Sequence, residues 1–338
     1  PATNAFNGTT IPDHAITQHI APAPWRWLAG LREDRLTRLR MASVYGHART
    51  LVSRYDLMIT AEYYAAFPRP GIQYVQFPAR LRPAAERLPP VVNAYFALCS
   101  WLLGAPWTDA ARNTTLVNSR WTASRVEQLG ELPSPIVLYP PVLDPGGGLP
   151  WGDRHDTFLV LGRFHESKRI EQAMSIVARL RARTLPRARL LIVGSVVNRG
   201  HAERLRAAAA RHGGWIEFHE DLSRTELHRL MGQSRFGIHA MVDEHFGMAT
   251  AEMTRAGCVV YAHRSGGSRE VLNDVDSLLW SDEADAVEKI SAVLAADPGP
   301  LRSRLLTHAA QFSPEAFIER FRSIVANSGQ LSEARIGK

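Results

Sequence analysis

Thr157-Phe158-Leu159-Val160-Leu161-Gly162-Arg163-Phe164-His165-Glu166-Ser167-Lys168-Arg169-Ile170 is the stretch whose reading decides the fold. A short apolar run reads as a buried strand. A glycine then opens a turn carrying two cations, and Ile170, Ala173, Met174, Val177 and Leu180 follow at helical spacing of three and four. The same unit repeats downstream. Strands are predicted at Arg189–Val193, Trp215–His219, Phe236–Ala240 and Cys258–Ala262. Helices are predicted over Ala202–His212, Arg224–Met231, Met248–Ala256 and Ala284–Ala296. Strand–helix alternation at this spacing predicts an α/β fold with a parallel sheet covered on both faces. Ligands then bind at the carboxyl ends of the strands.

Working backwards, Asp144-Pro145-Gly146-Gly147-Gly148-Leu149-Pro150 is the best domain boundary in the chain, because glycine and proline at that density interrupt regular structure. Upstream of it, Leu57–Thr60, Ile72–Phe77, Thr115–Asn118 and Ile136–Tyr139 read as strands. Ser119-Arg120-Trp121-Thr122 opens a helix that runs to about Leu129. Trp25 to Arg54 reads as a basic helix with Arg32, Arg35, Arg38 and Arg40. A solvated face explains it, and a membrane-surface reading stays open. Val91 to Trp107 is apolar but short for a membrane span, so a buried or interfacial helix is expected. Near the end, Ser313-Pro314-Glu315 carries a cap hydroxyl, a proline at the first helical position and an acid against the dipole, which start a helix.

The 338 residues, 45% hydrophobic and 22% charged, suffice for two globular cores. A formal net charge of +7 suits anionic partners such as nucleotide diphosphates, nucleic acid or an anionic membrane, although plain arginine usage also explains it. No nucleic-acid-binding pattern is present. The two cysteines, Cys99 and Cys258, are far apart. They argue for a reducing compartment and against a disulfide framework or a zinc site. No secretory signal pattern is visible.

Three segments carry chemistry. Gly162–Arg169 follows a strand and sets Arg163 and Lys168 where they can clamp a diphosphate. It is neither a Walker A loop nor GxGxxG. Glu244-His245-Phe246-Gly247-Met248-Ala249-Thr250-Ala251-Glu252 is a turn running into a helix. The helix start suits a phosphate, and the two glutamates suit sugar hydroxyls. Ser265-Gly266-Gly267 allows close backbone approach or a tight turn. Asp274-Val275-Asp276 has metal-like spacing but reads as a turn. His239, Glu244 and His245 lack the spacing of a metal motif.

In this order, Gly-Arg-Phe-x3-Lys at 162–168, Glu-x7-Glu at 244–252 and Ser-Gly-Gly at 265–267 resemble the family-4 (group 1) retaining glycosyltransferases of the GT-B fold. Ile238–Met248 and Ala262–Gly267 resemble most the α-1,2-mannosyltransferases that elongate lipid-linked oligosaccharides. Ile72–Pro78, Leu116–Thr122, Tyr139-Pro140-Pro141 and Ser313–Val325 fall in the same order as in that family, so the likeness runs from about residue 50 to 326.

The resemblance implies two Rossmann-like domains facing a cleft. Residues 1–146 would be the acceptor side, 151–312 the nucleotide-sugar side, 313–327 a closing helix returning toward the first domain, and 328–338 a tail. It implies that Arg163 and Lys168 bind the donor diphosphate, that Glu252 contacts the ribose and that Glu244 contacts the transferred sugar. His245, Phe246, Gly247 and Met248 complete the donor turn. Glu244, Arg163 and Lys168 are the expected catalytic set, and Gln76, Ser119 and Arg120 the expected acceptor-side residues. The related mannosyltransferases carry histidine where Gln76 stands. GDP-mannose is the favoured donor, a glycan or lipid-linked molecule the acceptor, with no metal, no other cofactor and no nucleic-acid partner. A cytoplasmic enzyme with peripheral contact at the cytosolic membrane face is expected. The family's first strand and glycine-rich turn are not seen, so an N-terminally truncated chain is expected. A catalytically impaired nucleotide-sugar-binding scaffold and a sugar phosphorylase of the same fold remain the alternatives.

Overall fold

The computed structural model describes residues 5–6, 9–10, 33–61, 67, 69–78, 90–103, 107–146 and 148–327. Arg32 and the residues before it in the expected basic helix, and the tail after 327, lie outside these. By contacts the chain forms two compact units. The first comprises Pro1–Thr60, Tyr64–Gln73 and Arg80–Asn113, and the second Ala61–Tyr63, Tyr74–Ala79 and Thr114–Lys338. The division therefore does not fall in the glycine–proline stretch at 144–150. Val142, before that stretch, shares a core with Phe246, Ala251, Val271, Ala309 and Phe312. Its N–H donates to the Phe312 carbonyl at 2.8 Å. Glycine and proline break regular structure there without breaking the packing.

In the first unit, β1 (Ala5–Phe6) pairs antiparallel with β2 (Thr9–Thr10). β3 (Ile59–Thr60) runs parallel to the start of β4 (Ile72–Val75), with Ile59 opposite Ile72. A helix spans Glu33–Thr50, and the end of the expected basic helix, Val52–Arg54, is a 3-10 turn. The apolar run becomes a helix over Pro90–Leu103. It is one-sided: Cys99 is buried, whereas Val91 and Trp101 are about three-quarters exposed. Among the described residues no helix is long and apolar enough to cross a membrane.

The second unit holds the end of β4, then β5 (Thr114–Val117) and β6 (Ile136–Val137) side by side. β5 and β6 run parallel. It also holds a six-stranded sheet. Its members are β7 (His155–Leu161), β8 (Arg189–Gly194), β9 (Ile216–Glu220), β10 (Ser234–His239), β11 (Val259–His263) and β12 (Leu279–Trp280), in the order β12-β11-β10-β7-β8-β9. Every pairing is parallel, as the alternation predicted.

The helix Ile170–Arg183 buries Ile170, Ala173, Met174, Ile176, Val177 and Leu180. Each of these side chains except Ala173 contributes about 1.5–3 kcal/mol when fully removed from water. One helix escapes the sequence pattern. Gly299–Ala309 begins with Gly299-Pro300, which reads as a breaker, yet proline in the first turn needs no N–H partner. Ser268–Val271 is a single turn. The closing helix is present as Pro314–Asn327, with Ser313 Oγ accepting from Ala316 N at 3.1 Å. Phe317 of that helix lies 6.4 Å from the Tyr74 ring.

The strand order decides what meets. β11, β10 and β7 are neighbours, so the loops after their carboxyl ends lie at one sheet edge. These are the loops carrying Arg163 and Lys168, Glu244, and Ser265-Gly266-Gly267.

Candidate functional site

The turn after β7 is a short 3-10 helix, Glu166–Lys168. His165 accepts from Ser167 N at its start, and Arg169 closes it in the left-handed region at φ 50°. This aims Lys168 across to β10, where its Nζ donates to Glu244 Oε2 at 2.7 Å. The same oxygen lies 3.0 Å from His239 Nε2 at the end of β10. Glu244 is 14% exposed and His239 4%. Burial alone would raise the Glu244 acid. The His239 hydrogen bond and charge and the Lys168 ammonium outweigh it and hold the carboxyl well below the usual carboxylate range. Glu244 is therefore a fixed negative charge with a cation in contact. Arg163, on the same turn as Lys168, is exposed and has no hydrogen bond or ion pair among the described residues.

The turn bearing Glu244 is clamped from below. Asp243 N donates to Ser265 Oγ at 2.8 Å, and Gly267 N to the Glu244 carbonyl at 2.6 Å. A Cβ on Gly267 would stand 2.3 Å from the His245 carbonyl oxygen and 2.8 Å from Phe246 Cα. The two glycines thus admit the neighbouring turn. Gly247, at φ 99°, breaks direction before the helix Met248–Arg255, which has no side-chain cap. Its first amides and positive dipole end remain available to an anion.

Above, Ser119 at the start of the helix Arg120–Leu129 donates from Oγ to the His245 carbonyl and accepts from Thr122 N at 2.9 Å. Glu270, 4% exposed, accepts from Arg120 N at 2.9 Å, Trp121 N at 2.8 Å and the Tyr139 hydroxyl at 3.0 Å. One buried carboxylate therefore ties the start of that helix to the short helix Ser268–Val271.

The expected residues separate into groups. Lys168 and Glu244 meet, and Arg163 shares the turn. Phe246 is buried against Tyr139 and Phe312, at 5.9 and 5.4 Å between ring centroids, so its side chain anchors the turn. Gly247 rests on Ser268, whose Oγ a Cβ would meet at 2.4 Å. Met248 is 42% exposed. The His245 ring packs on Phe77 and Trp121. Glu252 makes no contact with Glu244. Burial raises its acid, and the Arg224 charge only partly offsets that.

On the expected acceptor side, Gln76 Nε2 donates to the Ala61 carbonyl at 2.8 Å. Ser119 is a helix cap, and Arg120 pairs with Glu270 and Asp274 at 3.5 and 3.3 Å. Asp274 and Asp276 are taken up by arginine and lysine partners, consistent with the turn reading.

His239 and Glu270 were missed. His239 was set aside with the metal-like spacing, although its place at a strand end five residues before Glu244 was a usable signal. Glu270 had none, because its partners lie 131 to 150 positions away.

The family described as "Glycosyl transferases group 1" matches residues 149–312. The human GDP-Man:Man(3)GlcNAc(2)-PP-Dol alpha-1,2-mannosyltransferase is 24% identical over 258 residues, covering 68% of this chain and 51% of that protein. The Dictyostelium discoideum enzyme of the same name is 27% identical over 202 residues, covering 53% and 40%. The chain thus spans about half the length of the curated relatives it matches. Among solved structures, Anabaena HepE in complex with UDP and glucose superposes with TM-score 0.64 at 14% identity, over 88% of this chain and 84% of that one. Trehalose 6-phosphate synthase from Burkholderia multivorans gives 0.60 at 14%, over 87% and 78%. These likenesses carry the fold. Residues 149–312 match the group 1 glycosyltransferase family, and the chain that holds them has the α/β GT-B fold.

Proposed function

We propose that this chain is a retaining, metal-independent glycosyltransferase that moves a hexose from a nucleotide sugar to a glycan or lipid-linked acceptor. Mannose from GDP-mannose is the favoured donor group. The observation that carries this reading is the Lys168–Glu244 contact at 2.7 Å, beside Arg163, which has no partner among the described residues, and a helix start with no side-chain cap. The curated relatives support the mannosyl assignment through their names.

In this reading residues 151–312 hold the donor and residues up to 146 serve the acceptor. Lys168 and Arg163 take the diphosphate, Glu252 the ribose hydroxyls and Glu244 the hexose. The bond from the sugar's anomeric carbon to the diphosphate oxygen breaks. The acceptor hydroxyl forms a new bond to that carbon on the same face, and its proton passes to the departing diphosphate. Negative charge grows on the leaving group, which Lys168, Arg163 and the helix start would stabilise. One such preorganised donor is worth about 3–4 kcal/mol in a site closed to water. A lipid-linked acceptor would bring the enzyme to a membrane surface on the cytosolic side.

A thermal-shift panel of GDP-mannose, UDP-glucose and ADP-glucose tests the donor. A ligand at a hundred times its Kd stabilises the native state by about 2.7 kcal/mol. The largest shift is expected with GDP-mannose, and Lys168→Ala and Arg163→Ala are expected to reduce it. No shift with any of the three would refute the reading. Release of sugar phosphate with inorganic phosphate would identify a phosphorylase instead.

A further inference from the structure

The Glu244 turn has a second face. The His245 ring packs on Phe77, with centroids 4.4 Å apart and planes at 62°. It also packs on Trp121, at 5.4 Å and 54°. Phe77 is 54% exposed, although it belongs to a three-ring cluster one residue from Glu244. The Arg125 guanidinium covers Trp121 at 5.0 Å and pairs with Asp243 at 3.6 Å, so the rim is charged. Asn118, 7% exposed, donates from Nδ2 to the Gln76 carbonyl at 3.2 Å. Its buried Oδ1 has no partner.

The corner is held in place by backbone contacts. Ser119 fixes the His245 carbonyl, and Gln76 is tied to Ala61. Of the residues expected on the acceptor side, Ser119 caps a helix and Arg120 pairs with Glu270 and Asp274. Burial, with the Lys168 charge added, lowers the His245 imidazole against the pull of Glu244 and Asp243. A neutral ring offers one donor and one acceptor to a hydroxyl.

An exposed aromatic face with a polar rim fits a ligand with an apolar face and a hydroxylated edge, which describes a pyranose. A nucleobase fits less well, since the tilted rings leave no parallel slot. We infer that Phe77, Trp121 and His245 form the acceptor subsite, which seats the terminal pyranose of the acceptor beside the hexose held at Glu244. This rests on the glycosyl-transfer reading above.

Saturation-transfer NMR on the full chain tests it, with methyl α-D-mannopyranoside and methyl α-D-glucopyranoside as probes, with and without GDP. Saturation of the ring C–H protons of at least one glycoside is expected, undiminished by GDP. Phe77→Ala should weaken binding roughly tenfold, the upper end of what one aromatic contact contributes. Phe77→Tyr, which keeps the ring, should restore it. Calorimetric GDP affinity should be the same in all three proteins. No saturation in the wild type, equal saturation in Phe77→Ala, or displacement by GDP would overturn the subsite. Failure of the wild type to bind GDP would instead overturn the donor reading, because the glycoside signal is read independently.

Discussion

Glu244 and Glu252 stand eight positions apart on one turn-and-helix segment, both largely buried, yet their electrostatics are opposite. Glu244 is met by Lys168 and His239, and its acid is driven down. Glu252 has only the distant help of Arg224, and burial drives its acid up. The difference lies in which neighbours the sheet order supplies. The turn faces the end of β7 and is given a cation. The helix body carries Glu252 beyond reach of that cation. An ion already paired is preorganised to meet developing charge, whereas a desolvated carboxyl without a partner gains one when hydroxyls arrive. The contrast fits the proposed roles, with the diphosphate and hexose at the Glu244 end and the ribose hydroxyls at the Glu252 end.

Four substitutions break or sharpen this contrast. Glu244→Ala should have the largest effect, abolishing transfer while circular dichroism shows a folded protein. Normal turnover with an identified substrate would remove Glu244 from the mechanism. Gly267→Ala comes next. Its Cβ would force the turn off the glycine seat, and a displacement near 1 Å can cost on the order of 100-fold in kcat. An accompanying stability loss of about 1–3 kcal/mol should appear in denaturant melts. Unchanged activity would mean that the turn tolerates movement.

Glu252→Gln should weaken GDP-mannose binding about tenfold, the scale of one hydrogen bond to a charged group. Its pH signature should oppose that of Glu244. A raised folded-state acid keeps its proton after the unfolded chain has lost it, so stability falls as pH rises from the ordinary glutamate range to the raised value. Removing it should flatten that fall and raise Tm near neutral pH. Glu244 contributes the reverse. Its stabilisation is complete above the ordinary glutamate range and is lost as pH drops through that range toward the depressed value. Differences in melting temperature from the wild type across pH 3–8 for Glu244→Ala and Glu252→Gln (roughly the span of these titrations) would show slopes of opposite sign, and parallel slopes would refute the contrast. Ser119→Ala should be smallest, costing about 1–2 kcal/mol for a lost helix cap and a bond to the His245 carbonyl. The fall in kcat should be modest, since Gly267 still holds the turn from below.

Much of this site was legible because its signals are local. Lys168 follows a strand and a glycine, and Glu244 follows another strand. The strand–turn–helix pattern alone puts both at carboxyl edges. The glycines Gly266 and Gly267 were readable as a close approach, but not which backbone approached them. Phe246 was read as part of the donor turn, whereas its ring is an anchor shared with Phe312. Ser119 and Arg120 read as acceptor-side residues, but the bond of Ser119 to the His245 carbonyl and the pairing of Arg120 with Glu270 and Asp274 could not be read along the chain. Phe77 and Trp121 are legible only as parts of a strand and a helix start, since single aromatic residues on separate elements have no spacing to betray their meeting.

The sequence by itself determined the period of the elements and hence the parallel sheet. It also determined the order of the cationic turn, the glutamate turn and the glycine turn. Hydrophobic periodicity and turn chemistry act over a few residues, so they can be read along the chain. Only the tertiary structure decided that β7, β10 and β11 are neighbours, that Lys168 therefore touches Glu244, and that His239 shares its charge. It also decided that His245 packs with Phe77 and Trp121. Those contacts join residues up to 168 positions apart, and such partners are chosen by how sheets and helices pack, which no local pattern records.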